Sequence, residues 1–191
     1  MLAALLADGR LYAVLQHCDE DLAAERRAGG CLHCGAALHA AHYPRKPRGV
    51  PRALIPQYGR RLSWCCARQG CRSRATPASL RFLGRKVYLA AVVVLIAALR
   101  CGPTPARMRT LEELVGVNRR TIVRWRAWWT EALLDTAFWR AAAGGLMPPV
   151  ERVRLPASLL ERFAGSLPDR LAALLRWLSP MTTGSPAVHG S

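Results

Sequence analysis

Residues 110–126 read Thr110-Leu111-Glu112-Glu113-Leu114-Val115-Gly116-Val117-Asn118-Arg119-Arg120-Thr121-Ile122-Val123-Arg124-Trp125-Arg126. They predict two short helices joined by a sharp turn. Leu111, Leu114 and Val115 give the first helix an inner face. Gly116 supplies the left-handed residue that a tight corner needs, and Val117 plugs that corner. Asn118 is a good N-cap for the second helix, and Thr110 with Glu113 fits a capping box on the first. Ile122, Trp125 and Trp129 recur at helical spacing and turn the second helix inward. Trp125 and Trp129 therefore read as core rather than as base-stacking residues. The same register leaves Arg119, Arg120, Val123 and Arg124 on the outer, N-terminal end of the second helix.

This is the form of a helix-turn-helix, whose second helix presents its N-terminal end to base edges in the major groove. Arginine there pairs bidentately with guanine. The candidate DNA-contacting residues of this segment are Asn118, Arg119, Arg120, Thr121, Val123 and Arg124. A helical hairpin with a basic face is the plainer alternative.

Charge points to the same partner. The chain has 191 residues, 28 Lys or Arg, 12 Asp or Glu and a formal net charge of +16. The 86 residues between Glu25 and Glu112 hold 17 cations and no carboxylate. Such a surface collects polyanions, with nucleic acid the first to consider. Arg outnumbers Lys 26 to 2; a GC-rich genome explains that ratio, though not the missing acids. A hydrophobic share of 51% excludes compositional disorder.

The stretch 29–76 carries the second chemical signal. Cys31-Leu32-His33-Cys34-Gly35 is a C-x2-C-G knuckle, and Trp64-Cys65-Cys66-Ala67-Arg68-Gln69-Gly70-Cys71 follows about 30 residues later. Two cysteines at that spacing hold one zinc ion from a tight turn, and a second pair completes a tetrahedron. So short a stretch builds little core, and a structural metal supplies the missing stability. The assigned ligands are Cys31, Cys34, Cys66 and Cys71. Cys65 competes with Cys66, but strand alternation puts Trp64 on the same side as Cys66. His33, His39 and His42 stand as alternatives to a thiolate.

Between the pairs runs Tyr43-Pro44-Arg45-Lys46-Pro47-Arg48-Gly49, followed by Arg52 and Arg60-Arg61. Prolines keep such an arm extended and without regular hydrogen bonding. Arg45, Lys46 and Arg48 suit the phosphate backbone or a minor groove. A solvated loop is the competing reading.

The expected fold is mainly α, with a small β zinc ribbon and a helix-turn-helix bundle. Its parts are an N-terminal helical segment at 1–28, the zinc ribbon with its basic arm at 29–76, the helix-turn-helix domain at 77–140, and C-terminal helices with a disordered tail at 141–191. Within the third part Pro77 opens a new element, and Arg85–Arg100 forms a buried apolar helix ended by Gly102-Pro103. Its apolar core, Val87 to Leu99, is 13 residues long, too short for a bilayer. In the fourth part Leu159, Leu160, Phe163, Leu171, Leu174, Leu175 and Leu178 form an apolar surface that folds onto the rest, docks on a partner or meets a second copy. MLAALLADGR lacks the basic start and apolar run of a signal peptide, and seven cysteines without an export signal favour thiolates over disulfides. The expected setting is the cytoplasm.

Taken in order, the knuckle, the basic strand with a second cysteine pair, the Arg-rich Thr-Pro segment, the apolar helix and the Leu111–Trp125 motif resemble the N-terminal zinc-ribbon and helix-turn-helix region of insertion-sequence transposases. The likeness covers roughly residues 31–130. The widened second cysteine pair departs from the usual C-x2-C. Such transposases continue into a catalytic domain whose three carboxylates hold two metal ions. After residue 130 only Glu131, Asp135, Glu151, Glu161 and Asp169 remain, without a strand pattern. The resemblance thus implies a non-enzymatic, transposase-related binder of duplex DNA: an accessory factor, a truncated form or a regulator of a mobile element. Its partners would be duplex DNA and a separate transposase or recombinase, or a second copy. An RNA-binding zinc-ribbon protein and an interaction subunit are the rival readings.

Overall fold

The structure is a computed structural model that describes residues 2–45, 47–48, 58–83, 88, 90–98 and 104–183. Lys46, Arg52, the Gly102-Pro103 break, both ends of the expected 85–100 helix and residues 184–191 lie outside the described residues.

The fold is mostly helical with two small antiparallel sheets. Helix α1 (Leu2–Ala7) stops at Asp8, whose carboxylate accepts the Arg10 N–H at 2.9 Å and caps α2 (Gly9–Ala28). Leu11, Tyr12, Leu15, Asp19 and Ala23 form the buried stripe of α2. Arg26 and Arg27 close its last turn, where cations complement the helix dipole. The chain then enters strands β1 (Leu38–Ala40), β2 (Tyr43–Pro44), β3 (Arg60–Arg61), β4 (Trp64–Cys66) and β5 (Arg74–Ala75). One sheet runs β1-β4-β5 and the other pairs β2 with β3.

Helix α3 (Ala90–Ala97) is buried at all eight positions, as its all-round apolar sequence requires. It packs against both α5 (Arg119–Ala127) and α8 (Leu167–Leu178). Helix α4 (Pro105–Val115) precedes α5 across a three-residue turn. A π-helical turn over Trp128–Ala132 continues α5, closed by Leu133 N–H donating to the Trp128 carbonyl at 2.9 Å. Then follow α6 (Ala137–Ala142), α7 (Ala157–Leu160) and α8. No helix among the described residues is long and apolar enough to cross a membrane.

Packing joins what the sequence separates. One large core takes in Leu6, Leu11 and Leu15 of the N-terminal helices, α3, the inner faces of α4 and α5, and Leu159, Leu171, Leu174, Leu175 and Leu178. The C-terminal apolar surface is thus internal: it folds onto the rest of the chain. A second, small core holds only Ala23, Cys31, Leu38, Trp64, Cys66 and Ala75 at its centre.

Four local expectations need correction. Thr110 does not cap a helix, because α4 already begins at Pro105 and the Thr110 hydroxyl donates to the Ala106 carbonyl at 3.2 Å. A proline is well placed at the first helical turn, where its missing N–H costs nothing. Pro77 does not open a regular element; residues 77–83 run irregularly and bury Leu80, Phe82 and Leu83. The basic arm is not free of regular pairing. Tyr43 and Pro44 pair with Arg61 and Arg60, and Arg45 N–H donates to the Gly59 carbonyl at 2.5 Å, since a two-residue edge strand tolerates one missing donor. The start of the tail is ordered too. Ser179–Thr182 forms a 3-10 turn, and the Thr182 hydroxyl accepts the Ser79 N–H at 2.8 Å.

Candidate metal centre and nucleic-acid interface

The four assigned cysteines converge. Cys31, Cys34, Cys66 and Cys71 place their sulfurs within 4.8 Å of one another. The Cys31–Cys71 and Cys34–Cys66 separations are 3.7 and 3.5 Å. Both are far too long for disulfides. A tetrahedron of about 2.3 Å metal–thiolate bonds has edges of about 3.8 Å, so the donor set fits a four-coordinate soft divalent ion.

Two turns and a strand ladder position these sulfurs. Gly35 N–H donates to the Cys31 carbonyl at 2.8 Å, and Cys31 N–H to the Ala36 carbonyl at 2.9 Å, which closes the first knuckle. Gly30 enters it at φ +66°, where a Cβ would sit 2.9 Å from the Gly35 carbonyl oxygen; only glycine fits. In the second, Cys71 N–H donates to the Arg68 carbonyl at 3.2 Å and Arg68 N–H to the Cys66 sulfur at 3.4 Å. The β1–β4 register sets Leu38 opposite Cys66 and His39 opposite Cys65. Alternation along β4 then buries Trp64 and Cys66 together and turns Cys65 away, toward the Arg72 carbonyl. The widened second pair resolves in favour of Cys66.

The histidine alternatives fall outside the cluster. His33 and His39 are exposed, and His42 Nδ1 sits 3.0 Å from the Ser63 backbone N–H that donates to it. Burial lowers the His42 pKa, with the Arg60 charge adding to the effect. Within the cluster, the backbone N–H of His33 helps pull the Cys31 thiol down to about 6, while burial pushes Cys66 up to about 12. A bound divalent cation would hold all four as thiolates.

The cysteine unit is clamped to α2. Trp64 Nε1–H donates to the Ala23 carbonyl at 3.0 Å, and Arg26 donates to the Gly30 carbonyl at 2.7 Å. The Arg27 guanidinium lies 5.4 Å from the centroid of the Trp64 ring.

The second candidate site is the outer face of α5. Gly116 adopts φ +65°, Val117 is fully buried, and Asn118 Oδ1 accepts the Thr121 N–H at 2.9 Å. Ile122, Trp125 and Trp129 are buried, and Tyr88 packs edge-on against Trp125 while its hydroxyl donates to the Gly116 carbonyl at 3.1 Å. Arg119, Arg120 and Arg124 are exposed, and Val123 is 60% exposed between them. None of these three arginines forms an ion pair with a described residue. Thr121 is a correction: it is buried, because the first turn of α5 rolls it under the helix beside Ile122. Asn118 is a partial one. Its carbonyl oxygen accepts the cap hydrogen bond, while the residue itself stays exposed.

The arm is divided. The Arg45 guanidinium is half-buried and stacks 5.2 Å from the centroid of Phe82. Arg48 is exposed, 6.0 Å from the Tyr88 centroid, and bridges to Tyr88 through the backbone. Arg61, counted with the basic surface in the sequence, is buried; it donates to the carbonyls of Pro77 and Thr182.

One buried cluster escaped the sequence reading. Asp19, 1% exposed, accepts from Ser79 Oγ at 2.5 Å, Leu80 N–H at 2.6 Å and Arg81 Nε at 2.8 Å. Arg81 continues to the carbonyls of Tyr58 and Arg60. The available signal was positional: Asp19 stands four residues after Leu15 and four before Ala23, within the apolar stripe. Three of the late carboxylates are also occupied structurally. Glu151 and Glu161 both pair with Arg154, and Asp169 caps α8 through Ser166.

No protein-family model, curated protein or solved structure matches the chain.

Proposed function

We propose that this chain is a zinc-stabilised, sequence-preferring duplex DNA-binding protein, with a binding rather than a catalytic role. In this reading α4, the Gly116 turn and α5 act as a helix-turn-helix, and the Cys31–Cys71 unit acts as a zinc ribbon. One observation carries it: α5 has an anchored inner face and an outer face of three arginines unpaired with any described carboxylate. A helix capped at Asn118 and held from behind by Trp125 and Trp129 is rigid enough to aim those side chains into a major groove. Four thiolates favour zinc over harder cations, and the ribbon's exposed Arg68, Arg72 and Arg74 would hold adjacent phosphates.

The order of these parts supports a role beside insertion-sequence transposases, as an accessory factor, a shortened form or a regulator of the element. A separate transposase or recombinase, or a second copy, is the protein partner this implies.

The test is selection from a random duplex pool at about 0.15 M salt with zinc present, since low salt would reward charge alone. A defined motif is the expected result. Enrichment without a motif, or preference for structured RNA over duplex competitor, would overturn it.

A further inference from the structure

The outer face of α5 has a restricted chemical vocabulary. Thr121 is buried and the Asn118 oxygen is committed to the Thr121 N–H. What remains outward is Arg119, Arg120, Val123 and Arg124: three side chains that only donate hydrogen bonds, and one that is apolar. No carboxylate lies on this face, and its one amide oxygen, that of Asn118, already accepts the Thr121 N–H.

Val123 is itself out of place on physical grounds. It is 60% exposed, one of few large apolar side chains so exposed among the described residues. β-Branching also makes it a poorer helix former than the Ala, Lys or Glu that suit an exposed position. It sits three residues after Arg120, about 4.5 Å along the axis, close to the 3.4 Å spacing of one base step.

In the major groove guanine presents two acceptors, and thymine an acceptor and a methyl group. Adenine and cytosine each present an amino donor. A face of donors with one apolar group matches guanine and thymine and leaves the amino groups unmet. Resting on the DNA-binding reading above, we infer that α5 reads keto bases, with Arg120 or Arg124 on guanine and Val123 against the methyl group of a thymine about one step away.

The experiment uses the full chain loaded with zinc and the duplex motif obtained by selection. Each motif thymine is replaced in turn by uracil, which lacks only the methyl, and affinities are compared for the native chain and Val123→Ala. One thymine is expected to lose about fourfold on demethylation with the native chain, the worth of one buried methyl-sized group, and nothing with Val123→Ala. Because Val123 is exposed, the variant should melt like the native chain, which separates lost contact from lost fold. Equal losses in both proteins, or no methyl-sensitive thymine, would overturn the inference while leaving DNA binding intact. Failure to bind duplex DNA at all would overturn both readings.

Discussion

The cysteine unit and the helical body are held together by different means. The unit centres on six buried side chains around four converging sulfurs. The body has a continuous core running from Leu6 to Leu178, with whole helices such as α3 immersed in it. Burial of a Val, Leu or Ile contributes about 1.5–3 kcal/mol, so the body gains far more from burial than the unit does. In the proposed reading the unit's shape depends on a bound ion, whereas the body's depends on the exclusion of water. They meet at α2, whose stripe faces the large core and whose last turns grip Trp64 and Gly30, and again where Arg61 and Arg81 bond across to Pro77, Tyr58 and Arg60.

Metal removal should break this comparison most sharply. Structural zinc supplies on the order of 10 kcal/mol of apparent folding energy. Chelation, or Cys66→Ser, is therefore expected to unfold the two cysteine turns and the β1-β4-β5 sheet while most helical signal survives. Amide exchange would show protection lost over the strands and the last turns of α2, yet kept in α3 and α8. A spectrum and melting curve unmoved by chelation would exclude a metal-dependent unit.

The converse experiment strikes the body. Asp19→Ala removes the carboxylate bonded to buried Arg81, the only one among the described residues, and takes the acceptor from the Ser79 hydroxyl and Leu80 N–H. Breaking one partner of a buried pair costs about 3–5 kcal/mol, roughly 6–20 °C in melting temperature for a chain of this size. The cobalt-thiolate absorption of the cysteine unit should persist. Loss of both together would mean the two regions fold as one.

The same division explains what the sequence disclosed. The cysteine turns, the Gly116 corner, the Asn118 cap and the buried Trp125 and Trp129 are set by spacings of a few residues, and sequence spacing reports those directly. Cys66 was separable from Cys65 by alternation alone. Contacts between distant segments were not legible. Asp19 meets Ser79 and Arg81 across about 60 residues, and Arg61 meets Thr182 across 121. Arg61 and Arg81 therefore counted as surface charge when they are interior donors. Thr121 was misplaced for a subtler reason: the first turn of a helix can bury a small polar residue once its neighbour's side chain has capped the backbone.

Under the proposed DNA-binding function the comparison becomes one between reading and holding. Arg120→Ala or Arg124→Ala should cost about 1–3 kcal/mol on the selected motif and much less on random duplex. Equal losses on both would demote these residues to phosphate contacts.

The smallest expected effect belongs to the arm, and Arg48 is its cleanest probe. Arg45 stacks half-buried on Phe82, so its removal would mix lost packing with lost charge. Arg48 is exposed and holds its place through a backbone bridge to Tyr88, which an alanine preserves. A phosphate contact releases about one counterion, so Arg48→Ala should lower the slope of log affinity against log salt by about one. It should weaken motif and random duplex alike. Titrations of both duplexes over several salt concentrations would read this, with Arg120→Ala run beside it. An unchanged slope would remove the arm from the interface, and a loss confined to the motif would make Arg48 a reader of bases, erasing the distinction between the region that reads and the region that holds.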